Sequence, residues 1–343
     1  FLLDQATVSN NNGQEWNANG GDGVFDDNTQ TNQTYTPGLN DIATGSVTLT
    51  LTAFGTLACN INATSDITLT IQPLPFSDAG NDAIICVGDN HTLAGSVEDN
   101  NGQSWSAGSG DGTFDDNTST STVYYPGPND ISTGSVTLTL TADPIAPCTS
   151  TTSSSMLLTI QQPPSAIADA FSTLICKGSF VDLAGSFANN YSNLLWTSNG
   201  NGSFDPTGSE TTLTPIYLPG TNDIINESVT LTLTANPLAG CLISESSDIL
   251  INIQLACEVN AGSNEATCED VYFDLSESTV PPTADDFSSI LWTTNGIGFF
   301  DDPTLVAPTY FPHASEGSVQ IDTLTMMMVG YGISPCPNDT SYM

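Results

Sequence analysis

The chain has 343 residues, of which 38 are acidic, one (Lys177) is basic and two are histidines, for a formal charge of -37 at neutral pH. Phosphate recognition needs cations, so nucleic acid is excluded as a partner, and no run of about 18 apolar residues is present, so no membrane span is expected. High net charge also marks disordered chains, but 38% hydrophobic residues laid out with strand periodicity suffice for a core.

Four tryptophans, Trp16, Trp105, Trp196 and Trp292, each open the same downstream string of Gly-x-Phe-Asp and Tyr-x-Pro, followed in the first three units by Ser-Val-Thr-Leu-Thr-Leu. They recur roughly every 90 residues, too far apart for a solenoid and close to the length of an immunoglobulin-type sandwich. In chain order, the second unit reads as seven short runs separated by Gly, Pro, Asn and Asp: 81–86, 91–97, 102–108, 112–116, 121–127, 134–142 and 155–160. In the sixth run Val136, Leu138 and Leu140 alternate with threonines, the pattern of a strand with one face in a core. Val47, Leu49, Leu51 and Val229, Leu231, Leu233 repeat it. In the fourth unit the phase slips after Val319 and Ile321 to Leu324, Met326 and Met328, which predicts a β-bulge near Asp322 and Thr323. Helix is expected only as single turns, Asx-capped at Asn40 and ended by Gly45, with counterparts at 129–134 and 222–227.

The expected architecture is all-β: a tandem array of four immunoglobulin-like β-sandwich domains over 1–72, 73–162, 163–254 and 255–343, the first lacking its opening strand and the last its closing one. The chain thus reads as a window on a longer polypeptide, or as units whose strands come from neighbouring subunits. No signal-peptide pattern follows Phe1, and Lys177 is the one site for trypsin-like proteases.

Cys86, Cys176 and Cys268 precede the second strand of their units, while Cys59, Cys148, Cys241 and Cys336 follow the sixth; Cys257 is an extra. With no CxxC and no histidine partner, disulfides in an oxidising compartment are expected rather than zinc. Two pairings stay open. Within a unit the bridges are Cys86–Cys148, Cys176–Cys241 and Cys268–Cys336, which needs no assumption about stacking. Alternatively the lower turn of one unit joins the upper turn of the next, as in Cys86–Cys241, which fits the reach of a disulfide better and clamps neighbours together.

GDGVFDDNT at 21–29 and GDGTFDDNT at 110–118 gather oxygen ligands on Gly-rich turns, which suits Ca²⁺. The ligands would be Asp22, Asp26, Asp27 and Asn28, then Asp111, Asp115, Asp116 and Asn117. The competing reading is that these side chains stabilise tight turns, since only Asp26, Asp115, Asp205 and Asp301 keep their place in all four units. A second cation candidate comprises Asp78, Asn81 and Asp82. Tyr35, Tyr124, Tyr217 and Tyr310 are expected to anchor strands in the core beside the tryptophans rather than to form a sugar-binding platform. No catalytic function is expected. His91 and His313 belong to no repeated site, nucleophile and phosphate motifs are absent, and Asp26 and Asp27 are neighbours on a turn rather than facing across a cleft.

The strings DAGNDAIICVG, WSAGSGDGTFDD and YYPGPNDISTGSVTLTLTA, with the following Cys and SMLLTI, resemble the Ig-like or PKD-like repeats of very large surface proteins exported by the type IX secretion system, gliding-motility adhesins among them. The resemblance covers nearly the whole chain and implies a cell-surface or extracellular stalk or filament with a role in adhesion, its partners being copies of itself and surface glycans. The fourth unit departs by replacing PGxNDI with PHASEG and adding Cys257. Other roles for such an array are a carbohydrate-binding or enzyme-accessory module and a surface-layer protein.

Overall fold

The computed structural model describes residues 1–57, 59–267, 271–313 and 323–343. Threonine and leucine alternate in Ser135–Pro144, and the strand accordingly buries Val136, Leu138, Leu140 and Ala142 and turns Thr137 to water. It pairs antiparallel with the tryptophan strand Asn100–Ser106 on one side and with the closing strand Thr152–Gln161 on the other. Ala83–Cys86 lies parallel on the outer edge of the closing strand. The facing layer consists of Thr113–Phe114, Ser121–Tyr125 and His91–Ala94, with Phe76–Asp78 paired to Ser96–Glu98 beside it. Two layers, antiparallel except for that edge strand, over one core make an immunoglobulin-like β-sandwich, and the third repeat copies it strand for strand.

Among the described residues, the first and fourth repeats show the same layers with fewer strands. Gln14–Asn17, Ser46–Ala53 and Ala63–Thr70 face Leu2–Leu3, Gln33–Thr36 and Val24–Phe25 in the first. In the fourth, Phe287–Thr294, Met326–Gly332 and Asp339–Tyr342 face Phe273–Asp274, Thr309–Phe311 and Phe299–Phe300. Each repeat holds its own apolar cluster around its tryptophan and its tyrosine. The chain divides into two compact units, Phe1–Gln161 and Gln162–Met343, each containing two of these clusters.

The structure adds to and corrects the elements read from sequence. Phe76–Asp78 is a strand too short and too polar for periodicity to reveal. The 91–97 run splits at Gly95, where a Cβ would stand 2.6 Å from Leu140 and 2.9 Å from Trp105, so a side chain is barred by the core. Of the bulge expected near Asp322 and Thr323, Asp322 lies outside the described residues. Register irregularities occur between Asn100 and Gln103, Tyr191 and Asn193, and Phe287 and Ser289, at the entry to the tryptophan strands of the second, third and fourth repeats.

The helical turns span Leu39–Thr44, Pro128–Thr133 and Thr221–Ile225, but asparagine does not cap them. Gly38, Gly127 and Gly220 hold the N-cap position in extended conformation, and the acid three residues later accepts the N-cap N–H. Gly45 and Gly134 close the first two turns in the left-handed region, where a Cβ would be strained.

The two faces of the Ser135–Pro144 strand give a direct check. Leu138→Ala should cost about 2–5 kcal/mol in denaturant melts, as for a filled core site, whereas Thr137→Ala should change stability by no more than about 0.5 kcal/mol.

Candidate functional site

The tightest constellation in each of the first three repeats is built around one buried acid. Asp41, Asp130 and Asp223 are 2%, 1% and 0% exposed, and none has a cation beside it. The Tyr35, Tyr124 and Tyr217 hydroxyls donate to them at 2.6, 2.6 and 2.7 Å. The N-cap glycine adds an N–H at 3.0, 3.1 and 2.8 Å. The Gly-rich turn supplies a third donor, the N–H of Gly23, Gly112 or Asn201. Hydrogen bonds to charged groups contribute about 1.5–3 kcal/mol each, and an unpaired buried carboxylate would cost more than that.

This geometry explains the Gly-x-Gly pattern without an ion. A Cβ at Gly21 or Gly110 would sit 2.6 Å from the buried carboxylate, and one at Gly23, Gly112 or Gly202 would collide with the tyrosine hydroxyl. The turn must therefore be glycine on both sides of its central residue to lie flat on the Tyr–Asp pair.

The candidate calcium ligands are distributed over other tasks. Asp22 accepts the N–H groups of Asn40 and Asp41 at 3.1 and 3.2 Å, and Asp111 accepts those of Asn129 and Asp130 at 3.1 and 3.3 Å. Each is thus a remote cap for the next helical turn. In the third repeat Asn201 does the same for Asn222 at 2.9 Å, so an amide oxygen replaces the carboxylate. Asp27 and Asp116 accept the backbone N–H and hydroxyl of Thr29 and Thr118, which hold both carboxyls below the usual range. Asn28 donates to Glu15, Asp115 accepts from the Tyr125 hydroxyl at 3.4 Å, and the Asp26 side chain is exposed. At the junction, Asp78 accepts the Gly80 N–H and Asp82 the Leu157 N–H. Among the described residues, no group of three or more His, Cys, Asp or Glu is arranged to hold a metal ion.

The four tyrosines and four tryptophans are all buried. Trp16, Trp196 and Trp292 donate their indole N–H to the carbonyls of Thr31, Leu213 and Val306. His91 is half-buried at the start of the His91–Ala94 strand, opposite Tyr124 on the neighbouring strand, and burial lowers its basicity.

The cysteines require a correction. Cys176 is bonded to Cys336 with Cα atoms 5.0 Å apart, so the within-unit bridges Cys176–Cys241 and Cys268–Cys336 do not form. Cys86–Cys148 does not form either: Cys86 and Cys241 are disulfide-bonded cysteines, whereas Cys148 is a free thiol. Cys268 lies outside the described residues. The physical reason is the sandwich itself, which puts the turn after the opening strand and the turn before the closing strand at opposite ends. Next to the cystine, Lys177 meets Glu258 at 2.7 Å, so the one cation of the chain is also spent between the third and fourth repeats. Cys257 is a buried thiol packed against the backbone at Gly330, and burial pushes its pKa up.

The class defined by this fold is an all-β array of immunoglobulin-like sandwiches, with a disulfide between the third and fourth repeats. No protein-family model and no curated protein matches the sequence. Among solved structures, the chain is similar to Sidekick-1 immunoglobulin domains 1-5 at 12% identity and TM-score 0.38, covering 99% of this chain and 76% of that one. It is similar to Protocadherin Gamma B2 extracellular cadherin domains 1-5 at 13% identity and TM-score 0.36, over 100% of this chain and 72% of that one. With Drosophila N-cadherin EC1-4 the figures are 12% and 0.34, over 98% and 92%.

Two predictions follow from the buried acid and its turn. Burial, with the Asp41 carboxylate next, pushes the Tyr35 hydroxyl up to about 12, and burial is also the main cause that takes Tyr217 to about 12. Unfolded tyrosine ionises near 10, so above that pH the unfolded chain loses protons that the folded one keeps. Stability should be unaffected below about pH 10 and fall up to about pH 12, and Tyr35→Phe with Tyr217→Phe should flatten that decline in urea melts followed by circular dichroism. At the turn, Asp22→Asn should stay within about 0.5 kcal/mol of the parent and Asp22→Ala should cost about 1 kcal/mol, with or without chelator; a loss on Asp22→Asn confined to calcium-loaded protein would restore the ion.

Proposed function

We propose that the chain is the repeat region of an extracellular filament or adhesin stalk, of the kind exported by type IX secretion and including gliding-motility adhesins. The observation that carries this reading is the Cys176–Cys336 cystine, which ties the end of one sandwich to a loop of the next where a linker would otherwise swing. Separate cores give length by addition, and a covalent tie at the junction converts that length into stiffness. A formal charge of -37 distributes about nine negatives to each repeat, which repel their neighbours over a screening distance of about 8–10 Å and keep the array soluble. Cystines suit an oxidising exterior, and a single lysine leaves trypsin-like proteases little to cut.

A non-enzymatic role accords with the way the acids are used. Their carboxylates hold backbone and hydroxyl donors, and His91 and His313 stand at positions the other repeats fill differently. Calcium enters this reading as a ligand of exposed acidic turns, acting on solubility and packing between arrays rather than on the fold of a repeat. Copies of the chain itself are the expected partners.

One observation favours a second reading, a carbohydrate-binding module confined to the fourth repeat. Phe299 stacks on Phe311 at 5.2 Å and 12°, with Tyr272 at 6.0 Å from Phe311, and Phe299 and Tyr272 are more than half exposed. The equivalent cross-strand pairs are Val24 with Thr36, Thr113 with Tyr125 and Ser203 with Leu218, so this aromatic face occurs once.

Small-angle scattering on Gln162–Met343 within the full chain tests the first reading. Cys176→Ser should widen the distribution of inter-repeat distances while leaving the melting temperature of the repeats within a few degrees, because each has its own core. An unchanged scattering curve, together with glycan binding that Phe299→Ala and Tyr272→Ala abolish, would favour the second.

A further inference from the structure

The third residue after each tryptophan is Asn19, Gly108, Asn199 and Asn295 in turn, so the second repeat alone has no side chain at this place. In the other three the asparagine reaches the neighbouring strand. Asn19 donates its amide to the Thr48 carbonyl at 3.4 Å and to the Thr50 hydroxyl. Asn199 accepts the Thr230 N–H on its Oδ1 at 2.8 Å, while its own backbone N–H meets the Thr230 carbonyl at 3.1 Å. Asn295 repeats both bonds with Thr325, at 2.9 and 3.1 Å. In three repeats, therefore, a carboxamide ties the Gly-rich turn to one threonine of the adjacent strand, just past the end of the regular ladder.

In the second repeat the matching threonines are Thr137 and Thr139, and the place of the asparagine is open. Gly108 has φ +58°, close to the 45° of Asn19, and a Cβ built on it would meet nothing within 4 Å. Asparagine visits this left-handed region readily, so neither backbone nor packing demands glycine here. The missing side chain leaves a groove of about 340 Å³, walled by Ser109, Asn129, Thr133, Thr137 and Thr139. Its charge also differs from that of its siblings. Thr50 and Thr232 are hydrogen-bonded to Asp66 and Asp248 at 2.5 and 2.6 Å, whereas Thr139 shares a bond of 2.8 Å with Ser155. A neutral hydroxyl in place of that acid removes an attraction for cations, and the Asp130 carboxylate in the groove wall disfavours anions. A neutral ligand that both donates and accepts fits best.

We propose that this groove is a binding site for a primary carboxamide, the side chain of an asparagine or glutamine presented by a partner polypeptide. It takes the place that Asn19, Asn199 and Asn295 fill from within their own repeats. A carboxamide carries two donors and one acceptor oxygen, and a strand residue offers the complement, an N–H and a C=O directed to the same side. The amide nitrogen donates to the Thr137 carbonyl and the Thr139 hydroxyl, and the amide oxygen accepts the Thr137 N–H. The site lies within one repeat, so it is independent of whether the array serves as a stalk.

The test uses the full chain and two peptides with acetyl and methylamide ends, Gly-Gly-Gln-Gly-Gly and Gly-Gly-Met-Gly-Gly, so that the primary carboxamide is present in one alone. Binding is read from the amide resonances of Thr137 and Thr139. The glutamine peptide should shift both to saturation, with a dissociation constant on the order of 10–100 mM for two or three weak hydrogen bonds, and the methionine peptide should shift neither. Gly108→Asn supplies the amide from within. It should slow exchange of the Thr137 amide roughly tenfold and abolish the response to the glutamine peptide. Thr139→Val, which keeps the shape and removes one acceptor, should weaken binding about threefold. No saturable shift, equal shifts with the two peptides, or a response that survives in Gly108→Asn would overturn the assignment. Saturation by N-acetylglucosamine at lower concentration than by the glutamine peptide would overturn it in favour of a glycan site.

Discussion

The carboxylate buried at Asp41, Asp130 and Asp223 is the constraint around which a repeat is organised. A charge out of water has to be met by opposite charge or by several hydrogen bonds, and a chain with a single lysine has only the second option. Two of the donors are local, the tyrosine six residues and the N-cap glycine three residues before the acid, and the third comes from the turn after the tryptophan strand, 18 residues away in the first repeat. Meeting the charge therefore fixes the crossover, the approach of the turn and the tyrosine rotamer together. Tyr35 in turn holds the Asp41 carboxyl below the usual range, against the effect of burial.

The acidic turn belongs to this arrangement. Asp22 and Asp111 complete the N-terminal turn that the buried acid begins, so two carboxylates share the unpaired amides of one short helix. That an asparagine serves at 201 shows the requirement to be an acceptor oxygen rather than a charge. At the equivalent place the fourth repeat has Ile297, and His313 stands where the others have the N-cap glycine, while the tyrosine (Tyr310) and the glycines at 296 and 298 are kept. The remaining surface acids are left to solvent, where they cost a repeat little and separate it from others of its kind.

Strand content and the burial of the tryptophans and tyrosines were legible because alternation of Val, Leu and Thr has only one physical use, a face in a core and a face in water. Phe76–Asp78 escaped because three residues carry no period. The helical turns are legible in sequence but their cap is not: Asn40 has the right composition for one, while the residue that performs the task is Asp41, made effective by Tyr35 on the strand that leads into the turn. The oxygens of the acidic turns are a local cluster in sequence, but that proximity does not reveal that Asp22 and Asp111 accept backbone N–H groups of the helical turn.

The sequence by itself determined the repeat, its length, its all-β sandwich and which residues are inside, because hydrophobic periodicity and turn residues are local properties of the chain. Only the tertiary structure decided the Cys176–Cys336 pairing and the approach of the Gly-rich turn to the buried tyrosine–carboxylate pair. Each of these depends on which ends of two sheets lie together, and that is set by packing between segments rather than by spacing along the chain.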